Sequence, residues 1–477
     1  MAKIGNHALV LGASMAGLLA ARSLSEFYDM VTVVERDPLP DIRPESAAAR
    51  RGVPQGRHLH GLLPRGAQVI EQLFPGILDQ LVVGGAHRFD GQDLSQAYYH
   101  LGGHLMVRSG GAPSCAMYLA TRPFLEEHVR ARLRRIGNIT LIDDHDIVDL
   151  TTTQDRHRVT GARVVNRRTR DDVTLSADLV LDATGRSART PAWLDALGYE
   201  RPAEDQVPVH LTYVSQALRM DPDALHELGF LVGAVPGRPR GLGMLRSEND
   251  TWMFTVYGIA GHRPHPDLIS MCEFVEDCAP AHLLAAVRAA EPIGEPTRHS
   301  QPSSRWRRYD RIRRFPEGLL VIGDAICSFN PIYGQGMTVA GLEALALRNC
   351  LASGTVDLAR RFFQAAAVPI RQAWELSANP DLCLPEIEGT PPLLTRLLNG
   401  YIDRVLTASE YDPAAVERFV RVTALIDPAS RLLRPGIMWR AALANRRRPR
   451  RDPGQAGRAA GGSGIPSADS TLRSKVG

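Results

Sequence analysis

The chain has 477 residues, of which 44% are hydrophobic and 23% charged, and a formal net charge of +4. That length allows two or three domains around a substantial core, and the composition is that of a soluble globular protein. So small a charge argues against nucleic acid as a partner, the more so because much of the excess lies in one C-terminal basic run.

His7 to Ala13 reads as a short apolar strand, Gly12-Ala13-Ser14-Met15-Ala16-Gly17 as a turn, and Met15 to Glu26 as a helix. Met30 to Val34 is the next strand and closes on Glu35-Arg36-Asp37. This βαβ unit has the nucleotide-binding arrangement: a tight turn, a helix N-terminus for a pyrophosphate, and an acid about 20 residues on for a ribose. Ser14 stands where the middle glycine belongs, and serine is small enough to let a backbone approach.

Pro38 to Pro64 is a long Pro-, Gly- and Arg-rich loop that leaves the second strand and is expected near a cofactor. It holds His58 and His60, whose spacing suggests a metal; no third ligand is evident, so no metal site is expected. Residues 66–75 read as helical and Gly84 to Cys115 as short-stranded. Thr121 to Ile136 is a helix with Leu125, Val129, Leu133 and Ile136 as its apolar stripe. Arg122 in its first turn opposes the helix dipole, which costs a little unless an anion or ligand oxygen is near.

A β-meander is expected over Val159 to Asn166, Val173 to Leu175 and Leu179 to Asp182, ending in Asp182-Ala183-Thr184-Gly185-Arg186-Ser187. Strands around 209–219, 229–235, 241–247 and 252–259 look antiparallel, with Glu248-Asn249-Asp250 as a hairpin turn. They form a second sheet, with helices about 267–278 and 280–290 over one face and room for a substrate pocket on the other. Arg305 to Arg311 interleaves cations with Trp306 and Tyr309 and reads as a solvated edge.

Leu319 to Ile322 is a buried strand ending in Gly323-Asp324. Asn330-Pro331-Ile332-Tyr333-Gly334-Gln335-Gly336-Met337 leads into an Ala/Leu-rich helix. That arrangement offers backbone N–H groups and a helix dipole to an anion, and Asp324 can accept hydroxyl hydrogen bonds at the strand tip. Beyond Gly341 the chain is helical to about Ala444, and a basic, disordered tail is expected after it.

Only Lys3 and Lys475 occur, so chemistry built on a buried lysine has no candidate inside the fold. Six scattered cysteines form no C-x-x-C pair, which fits a reducing cytoplasm and suggests neither zinc site nor disulfide framework. No segment reaches the roughly 18 to 20 uninterrupted apolar residues of a membrane span.

Three strand tips, 12–17 with Glu35, 182–187, and 323–336, are therefore expected to converge. This combination resembles the FAD-dependent monooxygenases of the aromatic-hydroxylase fold. Arg51-Gly52-Val53-Pro54-Gln55 with Arg57-His58 and His60, Pro316-Glu317-Gly318, and Phe329-Asn330-Pro331 with Tyr333-Gly334 and Gly336-Met337 look closest to the polyether-type alkene epoxidases. The resemblance implies an α/β fold: an FAD-binding Rossmann-like domain with a β-meander (5–85, 116–190 and 305–350) and an antiparallel-sheet substrate domain (86–115 and 191–304). A helical C-terminal region (351–445) and a basic tail (446–477) follow.

It also implies a site. Gly12, Ser14, Met15, Ala16 and Gly17 approach the FAD pyrophosphate, and Glu35 binds the adenosine ribose. Arg36 lies near the adenine, Arg122 near the ribityl and pyrophosphate region, and Asp324 on the ribityl or pyrophosphate side. Pro331, Gly334, Gln335, Gly336 and Met337 face the isoalloxazine. His58, His60 and Tyr213 are candidate substrate-side groups. The implied reaction inserts one oxygen atom from O2 into a small apolar organic substrate through a C4a-hydroperoxyflavin, as epoxidation or hydroxylation.

The electron source is NAD(P)H or a partner flavin reductase. Asp182-Ala183 replaces the Asp-Gly that is usual in the family at a motif linked to the nicotinamide cofactor, and Ile326-Cys327 replaces a frequent Ala-His. A flavin-dependent reductase of isoprenoid-like double bonds and a non-catalytic flavin-binding protein are the alternatives. A halogenase is disfavoured, with no W-x-W-x-I-P signature and no internal lysine.

Overall fold

The computed structural model describes residues 3–40, 47–391 and 393–447. The N-terminal unit follows the expected order: β1 (Gly5–Leu11), α1 (Met15–Leu24) and β2 (Tyr28–Val34). The described residues of the loop after β2 include the 3-10 turn Pro54–Arg57, and the loop ends at α2 (Pro64–Leu73). A short helix that the sequence did not announce, Ile77–Val83, then precedes the expected short strands. α3 (Arg122–Arg134) starts at Thr121, whose hydroxyl accepts from the Phe124 N–H. β3 (Ile139–Ile142) pairs parallel with β2, and β4 (Leu179–Asp182) parallel with β1.

The meander differs from expectation. Its three antiparallel strands are His145–Thr152, Val159–Asn166 and Asp172–Ser176. Leu179–Asp182 belongs instead to the parallel sheet, because its four residues are all buried, as a central parallel strand requires.

β5 (Leu211–Arg219), β6 (Gly229–Val232), β7 (Arg240–Ser247) and β8 (Thr251–Gly258) form the second sheet, with Ser247 paired to Thr251 across the expected turn. An eleven-residue strand, β9 (Glu291–Gln301), lies beside β5. Ala97–Leu101 and His104–Leu105 extend the other edge to seven strands. Period-2 alternation divides this sheet. Val214, Phe254, Val256 and Met244 pack under Met271, Leu283 and Val287 of the two covering helices. Tyr213, Ser215, Thr255 and Tyr257 occupy the opposite face.

The cation–aromatic run is not a solvated edge. Trp306, Arg307, Arg308 and Tyr309 are buried, because Ser304–Arg307 is a strand paired with Glu204–Val207. Arg307 pairs with Glu204, Arg308 with Asp205 and Asp310, and the Arg308 guanidinium stacks on Trp306. Acids remote in sequence thus neutralise the run.

β10 (Leu319–Val321) completes the parallel sheet, in the order β10-β4-β1-β2-β3. The helical C-terminal region comprises α4 (Gly336–Ala352), α5 (Leu358–Asp381), α6 (Leu393–Ser409), α7 (Pro413–Thr423) and α8 (Pro435–Arg447). α8 runs through Arg446, where the tail was expected to begin; the tail from residue 448 on lies outside the described residues. Among the described residues no helix is long and apolar enough to cross a membrane.

Candidate functional site

The C-terminal tips of β1, β4 and β10 meet in direct contact. Gly12 has φ +106°, and a Cβ there would stand 2.7 Å from the Ala183 carbonyl oxygen; Gly323 has φ +69°, and a Cβ would stand 2.7 Å from the Ala16 side chain. Both approaches need glycine. α1 starts just above them, with no side-chain cap from Ser14 and no acid in its first turn. Its leading N–H groups and positive dipole end are therefore available to an anion. The Ser14 hydroxyl instead accepts from Arg122 Nη2 at 3.0 Å. Gly12, Ser14, Met15, Ala16, Gly17 and Arg122 thus come together, Met15 with its side chain in the core and only its backbone near the tip.

Glu35 ends β2 beside this cradle. Its Oε2 accepts the Ala13 N–H at 2.8 Å, its Oε1 the Asp37 N–H at 3.1 Å, and Arg50 Nη1 stands 3.3 Å away. Oε2 is shared between the Ala13 N–H and Arg50, while Oε1 keeps a lone pair for a ligand hydroxyl. Sequence reasoning missed Arg50. It bridges Glu35, Asp37 and Glu126 and donates to the Ala13 carbonyl at 3.0 Å. Burial works against its charge, but Glu126 and Glu35 prevail and hold its pKa above the ordinary value. Glu126 also lies 3.3 Å from Arg122, the anion that the first-turn arginine required. Arg36 is exposed, with its carbonyl accepting from Arg167.

Asp324 sits in the turn after β10, half-buried, and its carboxylate takes no hydrogen bond from the described residues. Burial raises its pKa, and Arg122 and Arg186 partly offset that effect. Burial pushes the pKa of Tyr213 up, Arg186 opposes the shift and Asp324 adds to it. Tyr213 packs in one apolar cluster with Ile332, which brings the second sheet's inner face beside the turn that follows β10. There His58 packs edge-on against Tyr213, ring centroids 4.4 Å apart, with His299 of β9 5.4 Å from Tyr213.

His58 is 3% exposed. Its Nδ1 lies 2.8 Å from Ser215 Oγ, and Ser215 Oγ 2.6 Å from Thr255 Oγ1. Its Nε2 is buried with no partner among the described residues. Burial, reinforced by His299, His60 and Arg57, pushes its pKa down to about 3, so the ring is neutral. His60 turns away: its Nδ1 donates to the His58 carbonyl at 3.0 Å, and burial beside Arg122 holds its pKa down at about 4. The structure therefore brings His58 and Tyr213 together, while His60 belongs to the loop's own support.

The turn before α4 closes this crevice. Ile332 packs in the same apolar cluster as Tyr213 and Tyr257. Gly334 has φ +66°, and α4 begins without a side-chain cap or an acid in its first turn. Pro331, Gly334 and Gly336 present backbone here. Gln335 and Met337 do so only through the main chain. The buried Gln335 side chain donates to the Thr423 carbonyl of α7 at 2.9 Å, and Met337 is buried in the core.

Two buried acids brace the turns here, Asp381 the one before α4 and Glu343 the one after β10, and neither was read from the sequence. Asp381 of α5 accepts from Asn330 Nδ2 and Tyr333 Oη. Glu343 of α4 accepts the Gly323 N–H at 2.6 Å. Asp182 is likewise consumed structurally, accepting from Thr184 and Thr190.

A cavity of about 1160 Å³ opens beside Gly5, Tyr28 and Leu319, at the N-terminal ends of the parallel strands and so opposite the tips where ligands of such sheets bind. Among the described residues no cluster of three potential metal ligands forms.

No family model matches the chain. It is 38% identical to Protein Rv3254 of Mycobacterium tuberculosis over 475 residues, covering 94% of this chain and 98% of that protein. Several solved structures share its fold at low identity, two of them as follows. The flavin-dependent brominase Bmp2 matches with TM-score 0.63 and 13% identity, over 94% of this chain and 100% of the other. The p-nitrophenol 4-monooxygenase PnpA of Pseudomonas putida matches with TM-score 0.59 and 15% identity, over 90% and 99%. The architecture is that of the aromatic-hydroxylase fold, and on identity across nearly both full lengths the chain belongs to the family of Protein Rv3254.

Proposed function

We propose that the chain is an FAD-dependent monooxygenase that inserts one oxygen atom from O2 into an apolar organic substrate. The observation that carries this reading is the convergence on one crevice of two helix N-termini without side-chain caps, α1 and α4, beside the Asp324 carboxylate, which takes no hydrogen bond from the described residues. A Cβ at Gly17 would meet the Gly12 carbonyl at 1.9 Å, so the turn keeps the bare backbone that a pyrophosphate needs. In this reading α1 and Arg122 bind the pyrophosphate, Glu35 the adenosine ribose, and Asp324 the hydroxyls of the ribityl chain. Arg36 lies toward the adenine.

FAD, when bound, supplies the activation of O2. The chain's own part is electrostatic and steric. The α4 N-terminus at Gly336 favours negative charge by up to ~2 kcal/mol, and the apolar cluster around Tyr213, Tyr257 and Ile332 excludes water. His58 holds Nε2 toward a substrate hydroxyl, with its ring fixed by Ser215 and Thr255. Epoxidation needs no protein base, whereas hydroxylation of a phenol gains from one; a neutral His58 serves either chemistry. Electrons come from NAD(P)H or a partner reductase. The likeness to Bmp2 is one of fold, and no lysine lies between Lys3 and Lys475 to serve halogenation.

The test is to supply reduced protein with isotopically labelled O2 and a panel of apolar alkenes and phenols. Transfer of one labelled atom into product supports the reading. Saturation of a double bond without O2 consumption overturns it in favour of an isoprenoid-type reductase.

A further inference from the structure

The last described helix is apolar on two sides. Ile437 and Ala441 of α8 are buried in a cluster with Val405 of α6. The opposite face carries Met438, 49% exposed, Trp439, 64%, and Leu443, 38%, with Leu433 just before the helix at 47%. Trp439 and Leu443 are one turn apart, as are Met438 and Ala442, and Arg446 continues the same face. A surface helix normally turns charge outward on this side. Here the flanking cation Arg440 is instead drawn off the face by Asp412.

Charge identifies the occupant. Residues 435–477 hold nine Lys and Arg against two Asp, a net +7, while the rest of the chain is net −3. The sequence continues Arg446-Arg447-Arg448-Pro449-Arg450-Arg451 directly after the apolar face. A second copy would bring the same positive charge against itself. A tryptophan among aliphatic side chains, with a polybasic run beside it, is matched instead by an anionic bilayer, which takes the ring at its interface and the cations at its headgroups.

We propose that α8 is a peripheral docking helix for anionic lipid membranes, inserting Met438, Trp439 and Leu443 at the interface with Arg446 toward the headgroups. This is independent of the redox chemistry proposed above. It makes the chain a protein that rests on a bilayer surface and does not span it.

The test uses the full-length protein and vesicles of phosphatidylglycerol and phosphatidylcholine in equal parts, with pure phosphatidylcholine as control. Co-sedimentation with the anionic vesicles, at least about tenfold above the control and lost at high salt, is expected, together with a blue shift of tryptophan emission. Trp439→Ser should abolish the shift and, combined with Met438→Ser and Leu443→Ser, the binding; these exposed positions leave the core intact. Arg446→Glu should weaken binding severalfold.

Absence of binding to anionic vesicles at low salt overturns the proposal. So does full binding by the triple variant, which would assign attachment to the basic tail alone. A concentration-dependent dimer that the triple variant abolishes would give the face to a second copy and equally overturn it.

Discussion

Tyr333 Oη donates to the Asp381 carboxylate across 2.8 Å, and Asn330 Nδ2 donates to the same group at 3.0 Å. One acid at the end of α5 thus fastens the turn that leads into α4. Asp381→Ala leaves the buried Asn330 amide and the half-buried Tyr333 hydroxyl without this acceptor, which costs about 2–4 kcal/mol. The expected outcome is a lower midpoint in thermal or urea unfolding, with weakened FAD retention because the α4 N-terminus is no longer held. A variant with unchanged stability would show that the turn is fixed by other contacts.

Acid and base should act on this bracing in a defined direction. Burial pushes the pKa of Asp381 up to about 7, against the hydrogen bonds from Asn330 and Tyr333, and that of Glu343 up to about 8. Both exceed their unfolded values of 3.8 and 4.5, so the fold keeps protons that the unfolded chain has released. Their contribution to stability is complete below about pH 4 and is lost as pH rises through about 7 and 8. Over that whole window each group can change the stability by up to ~4 kcal/mol. Urea unfolding followed across that window should give a steeper loss of stability with rising pH in the parent than in Glu343→Gln; identical slopes would contradict the assignment for Glu343.

Asp324 takes no hydrogen bond from the described residues, and its proposed partner is the cofactor chain. Asp324→Ala should loosen FAD about tenfold to a hundredfold, the worth of a charged hydrogen bond, while leaving the apoprotein's unfolding midpoint nearly unchanged. Equilibrium dialysis against free FAD measures the first, calorimetry of the flavin-free protein the second. Full flavin occupancy in the variant would remove Asp324 from the site.

His58 has its pKa at about 3, far below neutrality, because burial and the neighbouring His299, His60 and Arg57 disfavour its charge. Its protonation should therefore leave no inflection in rate profiles between about pH 5 and 8. His58→Phe preserves a ring against Tyr213 and removes both nitrogens. Flavin content should stay constant, while turnover of a hydroxylated substrate falls about 10²-fold to 10⁴-fold if His58 moves its proton. A loss of bound flavin instead would assign His58 to the cofactor side.

The convergence of the strand tips was legible because its signals are local. Gly12, Gly17 and Glu35 lie within one βαβ unit, and Gly323-Asp324 ends an uninterrupted apolar run. The hairpin turn was also readable: Asn249 and Asp250, residue types that tolerate left-handed backbone, have φ +58° and +54°. What escaped depends on partners far along the chain. Arg50 meets Glu126, Asn330 meets Asp381, and Arg308 meets Asp205. β9 escaped for another reason. Pro292, Pro296 and Gly294 interrupt it, and it lies at the sheet edge, where such residues are tolerated and alternation fades.

The most direct test of the flavin monooxygenase assignment is to purify the protein, load it with FAD, reduce it anaerobically and admit oxygen while recording absorbance. The account predicts a transient species, spectrally distinct from both reduced and oxidised flavin, that lasts longer when an apolar ligand fills the crevice around His58 and Tyr213. Direct return to the oxidised spectrum with no transient, even with a suitable substrate present, would contradict it.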